Sequence, residues 1–551
     1  METITIRAFW TWLGMIVLCL HAAAVQDNPM DIAVRLVRQN NLPYLTLTVD
    51  DEEVIRPGIT PLYGESDCTV EVKLEAIPEG CLLHYTVVNQ TDKPVKTPAM
   101  TVGGIAMPRD GSRIIETWQN VRFQDVKGSQ STRLPGRRIY PAMTYAPVTG
   151  VHHGDLFVGS ALMYKLLEMQ IDITVDYDYR EQDGTWTLIY NTAVAAKNYT
   201  EVPGPVTLAA GETYRFTLSV GVARPTAWVT AYRPYRDFFS ATYGGTSYYK
   251  SVEPIYAQAA SVGTLLSDNN PRGFTRGSAG DGEGRLDEEG WTGFPEYVKK
   301  QVMDRGFRRM MIWNVTGLYR KHRGASMTWE IGSEWTEEML ATKDEFSKAA
   351  ELVEMGLWWG RATAVSGGFD TGRRHAVNPD NPKDMQACYR ELDPLYRMGV
   401  RLIGLDATHR GAYPGMKGWT PSGITVYREW LPKLKQRYPG MRFLIEPAAP
   451  DFLHTLAYAW SRAPLCPGPR TFADYILPGQ VSCVAIRRKG RNRASMSEET
   501  IHRYIKWGYT LVVFWTGMYP VSVDREIIEE KQQEIDRLMK TLGKKKPRAT
   551  E

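Results

Sequence analysis

The chain has 551 residues, and its 66 basic and 62 acidic side chains leave a formal net charge of +4. Hydrophobic residues make up 43% and charged residues 23%, which excludes a wholly disordered chain. The near balance of charge argues against nucleic acid as the main partner, because nucleic-acid-binding domains carry a concentrated basic excess. The 16 Trp and 29 Tyr are more unusual. Their flat faces and polar edges suit sugar rings, and they suit the core of a β-sandwich equally well.

The chain begins with a segment typical of an exported protein. Arg7 adds positive charge, Leu13–Leu20 is a short apolar run, and Ala22–Ala24 resembles a signal-peptidase site. The run is far shorter than the roughly 20 residues that span a bilayer, so we expect residues 1–24 to be a cleaved signal peptide. A retained membrane anchor is the alternative. We predict no membrane span in the mature chain, which would be secreted or periplasmic.

Five cysteines follow the expected signal peptide. Two pairs, Cys68/Cys81 and Cys466/Cys483, are close enough in sequence to form local disulfides, and Cys388 is the fifth. The alternative is five buried thiols, which behave as small hydrophobic groups. The sequence leaves both alternatives open. It contains no C-x-x-C pair and no H-E-x-x-H motif, so we predict neither a metal site nor a cofactor.

Residues 27–234 predict an antiparallel β-sandwich. Turn residues such as Gln182–Gly184 separate many short strands, a pattern that favours this fold. A short helix at Tyr235–Ala241 is predicted to lead into the next unit. Six segments alternate apolar and polar residues with the period of a half-buried strand: Tyr44–Val49, Val70–Leu74, Leu82–Val88, Ile171–Val175, Trp186–Tyr190 and Tyr214–Val220.

Residues 250–543 alternate predicted strands with predicted helices, which indicates a parallel sheet. The length suits a (β/α)₈ TIM-type barrel. A doubly wound open sheet is the alternative, but no G-x-G-x-x-G fingerprint opens a helix. Residues 544–551 are predicted to be a solvated basic tail. The predicted strands are Tyr256–Val262, Arg309–Asn314, Leu357–Val365, Val400–Asp406, Met441–Glu446, Phe472–Leu477 and Thr510–Trp515. The predicted helices are Glu296–Arg305, Trp335–Met355, Pro382–Met398, Val426–Arg437, Glu498–Trp507 and Asp524–Leu542.

Two acidic residues, Asp406 and Glu446, end consecutive predicted strands of this second unit. We expect them on adjacent strands at the carboxyl end of the barrel, where barrel enzymes carry their chemistry. Adjacent strands place side chains near the roughly 5–5.5 Å that separates the carboxyl groups of a retaining glycosidase. Inverting enzymes need about 6.5–9.5 Å, which fits less well. In the structural alternative, each carboxylate caps the following helix or pairs with an arginine such as Arg410 or Arg361.

A β-sandwich followed by a barrel with Leu405-Asp406-Ala407-Thr408 at the fourth strand and Ile445-Glu446-Pro447 at the fifth resembles the retaining α-glycosidases. The nearest resemblance is to the α-N-acetylgalactosaminidases and the wider α-amylase and α-galactosidase group. It implies that Asp406 is the nucleophile and Glu446 the acid/base. α-Amylase-like enzymes carry a further Asp at the seventh strand. We take Thr510–Trp515 as that strand, and because Thr516-Gly517 follows it, we do not expect amylase activity.

Other residues near predicted strand ends are candidates for substrate binding. A Trp at a strand end can form the floor of a sugar subsite, although packing between the barrel and its helices is an equally good interpretation. Trp358 and Trp359 are neighbours in one strand, so at least one of them must point outward to the helices. The candidates for substrate binding are Trp313, Asn314, Asp370, His409 and Trp515.

The sequence therefore predicts a secreted glycoside hydrolase. It would cleave an α-glycosidic bond of an oligosaccharide, polysaccharide or glycoconjugate by a retaining mechanism with two carboxylates. One alternative is a non-catalytic carbohydrate-binding protein on a barrel scaffold. A metal-dependent amidohydrolase is another, but it would need clustered histidines that the sequence does not offer. The expected partner is a carbohydrate substrate, and the sequence indicates neither the sugar nor an oligomeric state.

Overall fold

The computed structural model describes most of both halves of the chain. Among the described residues, no helix is long and apolar enough to cross a membrane. The described ranges are 30–117, 121–126, 139–141, 144–169, 171–193, 206–259, 294–313, 343–359, 364–366, 374–405, 421–445, 450–461, 468–486, 497–514 and 525–541.

The first half folds into two antiparallel sheets, with strand orders β1-β2-β3-β7-β14-β13-β10 and β4-β5-β16-β12-β11-β8-β9, while β6 pairs with β15. All six predicted strands are present, which confirms the sandwich. Its strands in chain order are β1 (Ile32–Gln39), β2 (Leu42–Val49), β3 (Glu52–Ile55), β4 (Thr69–Ile77), β5 (Gly80–Val88), β6 (Val95–Lys96), β7 (Met100–Ile105), β8 (Arg113–Glu116), β9 (Arg122–Asp125), β10 (Ile139–Tyr140), β11 (Val148–His153), β12 (Leu156–Met163), β13 (Asp172–Arg180), β14 (Thr185–Ala193), β15 (Thr207–Leu208) and β16 (Thr213–Ala223).

The period-2 pattern of the sequence explains how each sheet buries one face. Along β5, Leu83 and Tyr85 are buried in the core, whereas Leu82 and His84, which alternate with them, are only half-buried on the outer face. Successive side chains of a strand point to opposite faces, so the apolar set of each strand meets the other sheet. Part of the aromatic excess is used here, since Trp186 and Tyr190 are fully buried in the sandwich.

Two helical segments follow the last sandwich strand and lead into the second half. A 3₁₀ segment at Pro225–Tyr232 precedes helix α2 (Arg233–Tyr243), and the short helix α1 (Leu166–Met169) lies earlier in the sandwich. The Tyr235, Phe239 and Tyr243 side chains of α2 are buried. The Tyr243 ring stacks on Phe452 of the second half, with 5.6 Å between ring centroids. The predicted joining helix is therefore confirmed, and it packs against both units.

The second half forms a closed barrel of eight parallel strands, which confirms the barrel over the open sheet. In chain order its strands are β17 (Ile255–Ala259), β18 (Arg309–Trp313), β19 (Glu354–Trp359), β22 (Val400–Leu405), β23 (Arg442–Ile445), β24 (Tyr458–Ser461), β25 (Ser482–Ile486) and β26 (Thr510–Phe514), with a hairpin of β20 (Ala364–Ser366) and β21 (Arg374–Ala376) between the third and fourth. The helices are α3 (Phe294–Gln301), α4 (Lys343–Leu352), α5 (Pro382–Arg397), α6 (Pro421–Arg437), α7 (Thr471–Ile476), α8 (Glu498–Lys506) and α9 (Arg525–Thr541).

Two predictions about the barrel strands are wrong. The segment Phe472–Leu477 lies in helix α7 and is not a strand, while the true sixth and seventh strands, β24 and β25, were missed. A short apolar run does not distinguish a buried strand from a buried helix turn. Consequently Thr510–Phe514 is the eighth strand. The sequence after the true seventh strand contains no Asp or Glu before Glu498.

The predicted strand Leu357–Val365 is also not continuous. The barrel strand β19 ends at Trp359, and residues 364–366 form the first strand of a separate antiparallel hairpin. The register pairs Val365 with His375 in that hairpin. The prediction merged two strands because both are apolar and little in the sequence separates them.

The prediction that Trp358 and Trp359 diverge is confirmed. Trp358 belongs to an apolar cluster with members on all eight barrel strands, and its ring lies 5.7 Å from that of Trp460 in an edge-on arrangement. Trp359 belongs to the layer between strands and helices. There its ring lies 5.7 Å from Trp430, and its Nε1 donates a 2.8 Å hydrogen bond to Glu391.

The described cysteines are buried free thiols. Cys68, Cys81, Cys388 and Cys483 form no disulfide, so of the two alternatives that the sequence left open, the structure favours buried thiols. Cys466 itself lies outside the described residues. Burial raises the pKa of both Cys81 and Cys483 to about 12. Cys81 is buried in the sandwich core and Cys483 in the barrel interior, so each thiol fills apolar space there.

Candidate active site at the carboxyl end of the barrel

The strand register brings together the backbone positions that precede the two candidate carboxylates. Strands β22 and β23 are parallel neighbours, and Leu405 pairs with Ile445 at their carboxyl ends. On either side, Trp359 of β19 pairs with Leu405, and Ala459 of β24 pairs with Ile445. Three of these strands therefore end level with one another, at Trp359, Leu405 and Ile445, and β24 continues two residues further, to Ser461. Asp406 and Glu446 are the next residues in the sequence after the paired Leu405 and Ile445.

The alternation along these strands separates the barrel interior from the outer layer. Leu402 and Leu444 belong to the interior cluster, whereas Leu405 and Ile445 belong to the core between strands and helices. Between Leu402 and Leu405, Gly404 allows a close approach: a Cβ atom there would lie 2.0 Å from the Trp358 indole. The Trp358 ring therefore lies against the backbone of β22, two residues before Asp406.

A second interior aromatic residue lies at this end of the barrel, and the sequence analysis missed it. Ala459 is level with Ile445, so Trp460 is one residue further along β24. The Trp460 side chain is buried (1% exposed) in the interior cluster with Trp358. The alternating aromatics of Tyr458-Ala-Trp460 could have indicated this strand, but its four residues are too few to establish a period.

The other predicted site residues fall mostly outside the described part of the chain. The backbone of Trp313 is described as the last residue of β18, where it pairs with Ala259 of β17. The strand β26 ends at Phe514, immediately before Trp515. Six predicted site residues lie outside the described residues: Asn314, Asp370, Asp406, His409, Glu446 and Trp515.

The charged residues at the opposite end of the barrel form an ion-pair network. Arg309 and Glu354 are paired first residues of β18 and β19, with 3.5 Å between their charged groups, and Arg442 approaches Glu354 within 2.5 Å. Burial disfavours the charge on Arg309, but Glu354, Tyr458 and Glu253 together raise its pKa above its ordinary value. The amino-terminal end of a barrel carries stability rather than catalysis, so we assign this network a structural role.

A buried carboxyl group joins the segment after the fifth strand to the sandwich. Asp451 is fully buried and accepts hydrogen bonds from the Tyr140 hydroxyl (3.0 Å), the Tyr235 hydroxyl (2.5 Å) and the Phe452 amide (2.8 Å). Its own amide donates to the carbonyl of Tyr145 (2.8 Å). Burial raises the pKa of Asp451 to about 7, although these hydrogen bonds to its carboxyl work in the opposite direction. The sandwich thus holds the chain five residues after Glu446.

An aromatic contact extends the same interface. The ring of Phe472 in α7 stacks on Trp228 of the 3₁₀ segment, with 6.1 Å between centroids and 14° between planes, and it meets the Tyr232 ring edge-on at 5.2 Å. Nearby, the Tyr145 hydroxyl donates to Gln480 at 3.0 Å. Helix α7 therefore buries its aromatic side against the 3₁₀ segment that follows the sandwich. Among the described residues, no group of three or more His, Cys, Asp or Glu side chains could hold a metal ion.

Comparisons with known proteins find similar solved structures but no sequence family. No protein-family profile and no curated protein matches the chain. The galactosidase domain of an α-galactosidase–sucrose kinase, AgaSK, is 9% identical, with a TM-score of 0.46 over 93% of this chain and 72% of that one. The GH36 α-galactosidase AgaA from Geobacillus stearothermophilus, in complex with stachyose, is 10% identical, with a TM-score of 0.45 over 93% and 74%.

A third similar structure is a glycoside hydrolase family 97 enzyme from Pseudoalteromonas sp. strain K8 in complex with acarbose. It is 8% identical, with a TM-score of 0.33 over 92% of this chain and 82% of that one. All three TM-scores are below 0.5. The fold assignment therefore rests on the strand pairing of this chain itself, in which antiparallel sheets precede a closed parallel barrel.

Proposed function

We propose that this protein is a glycoside hydrolase that cleaves an α-glycosidic bond, with Asp406 as nucleophile and Glu446 as acid/base. One observation carries the proposal: the residues immediately before Asp406 and Glu446 are register partners on the fourth and fifth strands of a closed barrel. Barrel enzymes place their catalytic groups at this end of the strands. The observation supports the resemblance to retaining α-glycosidases, in which these two strands supply the carboxylates.

The spacing of the strands supports a retaining mechanism. Neighbouring strands lie about 4.7–4.9 Å apart, close to the roughly 5–5.5 Å between the carboxyl groups of retaining enzymes. The alternation adds to this argument. Leu402 and Leu444 face the barrel interior, whereas Leu405 and Ile445 face outward. Because side chains alternate along a strand, the position after Leu405 and the position after Ile445 both fall on the interior side. Two carboxyl groups on the interior side of adjacent strands would flank one substrate bond.

The proposed reaction has two steps. In the first, the ionised Asp406 attacks the anomeric carbon while the protonated Glu446 gives its proton to the departing glycosidic oxygen. In the second, the ionised Glu446 takes a proton from water, and that water displaces Asp406 from the glycosyl-enzyme intermediate. Two inversions at the anomeric carbon leave the product with the configuration of the substrate.

The interior aromatics support a site that is closed on the strand side. Trp358 and Trp460 are both 1% exposed and fill the barrel interior beside the fourth and sixth strands. An apolar floor excludes water from beneath the reacting bond, and electrostatic interactions are stronger in such surroundings. The expected substrate is an α-linked oligosaccharide, polysaccharide or glycoconjugate.

Hydrolysis of a panel of aryl α- and β-glycosides, including α-galactosides and α-N-acetylgalactosaminides, tests the proposal with the variants Asp406→Asn and Glu446→Gln. We expect Asp406→Asn to be inactive on every substrate. On substrates whose leaving group needs no proton, Glu446→Gln should keep most of its kcat/KM, because the first step then needs no acid, but its kcat should fall, because the second step still needs a base. The anomer first released, followed by NMR, should match that of the substrate. Wild-type turnover that neither substitution reduces would show that the site is wrongly assigned.

We also propose that the protein is exported. The support is the sequence of residues 1–24, with its charged start, short apolar run and alanine-rich end. Expression of the full chain with secretion into the periplasm or medium, followed by amino-terminal sequencing, tests this. We expect the mature chain to begin shortly after Ala24. A product that keeps residues 1–24 and stays with the membrane would favour the anchor instead.

A further inference from the structure

A second concave surface lies on the sandwich. A cavity of about 730 Å³ opens between the second sheet and helices α1 and α2. Its size falls within the roughly 300–1,000 Å³ of pockets that hold small molecules. Strands β5 and β16, the end of β12 and the two helices line it. We call it the sandwich groove.

The floor of the sandwich groove is a row of polar side chains on the outer face of the sheet. Thr213, Arg215 and Thr217 alternate with the other residues of β16, so they share one face. Thr217 pairs in register with His84 of β5, and the Thr217 hydroxyl lies 3.1 Å from His84 Nδ1. The floor therefore presents hydroxyl, imidazole and guanidinium groups side by side.

The walls of the groove carry aromatic and thioether side chains. Phe238 of helix α2 is half-buried, so part of its ring remains exposed. Its ring lies 6.3 Å from that of Tyr235 on the same helix, which holds it in place. Met163 and Met169 extend the apolar wall.

The charges around the groove are balanced. Lys165 and Arg215 are matched by Glu168 and Asp237, and the Lys165 ammonium lies 2.9 Å from the Glu168 carboxylate. A site for an anionic ligand would show an excess of basic groups, which this rim does not. Mixed donors and acceptors beside an exposed aromatic ring instead match a neutral ligand that has many hydroxyl groups and apolar C–H faces.

We propose that the sandwich groove binds a neutral oligosaccharide segment. The Phe238 ring would contact the C–H face of a sugar ring, and Thr213 and Arg215 would form hydrogen bonds with the sugar hydroxyls. The inference rests on the proposed function in one respect: the segment would belong to the glycan that the barrel cleaves. Helix α2 supports this link, because Phe238 lines the groove while Tyr235 donates to Asp451 of the barrel unit. A glycan in the groove is thus held at a fixed distance from the barrel.

Affinity electrophoresis of the full chain through gels that contain neutral polysaccharides tests the groove, with dextran, starch and galactomannan as probes. The Asp406→Asn background keeps the polysaccharide intact. We expect retention by at least one probe, and Phe238→Ala should raise the Kd about tenfold, since a lost ring contact of about 1.4 kcal/mol corresponds to that factor. Tyr44→Ala, which removes a half-buried aromatic side chain on β2 outside the groove, should leave retention unchanged.

Arg215→Ala is a second test that does not depend on tolerance of core changes, because Arg215 is exposed. It should weaken retention without lowering the melting temperature. Equal retention of the wild type and the groove variants overturns the proposal, and so does the absence of retention by every probe or a preference for an anionic polysaccharide such as pectin. Hydrolysis of small aryl glycosides separates the two proposals. Groove variants should keep that hydrolysis, and groove binding without any hydrolysis would overturn only the proposed function.

Discussion

Replacing Asp451 by Asn tests how the sandwich is joined to the barrel. The Asp451 carboxyl is 0% exposed and lies between the hydroxyls of Tyr140 and Tyr235, which both donate to it. Burial raises its pKa from an ordinary value of 3.8 to about 7. Asn has nearly the same shape and is neutral at every pH. The substitution therefore removes the titration and keeps the volume, and the amide resembles the protonated carboxyl in offering one acceptor oxygen and one donor group.

The sign of the effect follows from proton linkage. The folded protein holds the Asp451 proton more tightly than the unfolded chain does, so the wild type loses stability as the pH rises from about 4 to about 7. A difference of one unit between the folded and unfolded pKa corresponds to about 1.4 kcal/mol of stability. The raised pKa therefore corresponds to a loss on the order of 4 kcal/mol, complete above about pH 7. We expect the free energy of unfolding of Asp451→Asn, relative to that of the wild type, to rise by a similar amount over this pH range.

Urea unfolding at several pH values measures this difference, followed by Trp fluorescence and far-UV circular dichroism together. Subtracting the wild-type free energy from that of the variant at each pH cancels the other titrating groups. Asp393→Asn is a control of opposite sign. The Arg437 guanidinium, 2.6 Å from Asp393, lowers the pKa of that carboxyl. That variant should be less stable than the wild type at neutral pH, and the gap should close as the pH falls through the lowered pKa.

The reasoning would be refuted by a free-energy difference between Asp451→Asn and the wild type that does not change with pH. A difference that favours the wild type more strongly as the pH rises would refute it equally. Either result would mean that water or another charge reaches Asp451. The junction between the sandwich and the barrel would then be open rather than sealed.

Three further predictions concern the packing of the barrel and the state of the thiols. Gly404→Ala should lower the free energy of unfolding by about 1–3 kcal/mol or more, because the new methyl group meets the Trp358 indole. A double variant with Trp358→Phe should recover part of this loss in urea unfolding. If the effects of the two single substitutions simply sum in the double variant, the contact is contradicted. Trp359→Phe should cost about 1.5–3 kcal/mol in the same assay, because it removes the donor to the buried Glu391 carboxyl, and an unchanged midpoint would argue against that bond. Cys81 and Cys483 should react with a thiol reagent at about pH 8 only after unfolding. Both side chains are fully buried, and burial raises the pKa of each thiol to about 12. Rapid labelling of either thiol in the folded protein would contradict this.

The sequence determined much of the architecture because its hydrophobic periods are clear. Alternation over five to seven residues identified the sandwich strands, and one strand–helix–strand unit placed Asp406 and Glu446 after neighbouring strands. The structure confirms the barrel and pairs Leu405 with Ile445. The joining helix was also predicted. So was the divergence of Trp358 and Trp359, because adjacent side chains of a strand point to opposite faces.

The tertiary structure decided what short segments and distant contacts contribute. The four residues Tyr458–Ser461 form a barrel strand only because neighbouring strands complete their hydrogen bonds, whereas Phe472 lies in a helix and packs its ring on Trp228. The Asp451 carboxyl reaches tyrosines more than 200 residues away in sequence, and the sandwich groove combines residues of β5, β12, β16 and α2. Local periodicity records which face of an element is apolar. It does not record which partner covers that face, and the partner fixes the interface, the buried carboxyl group and the groove.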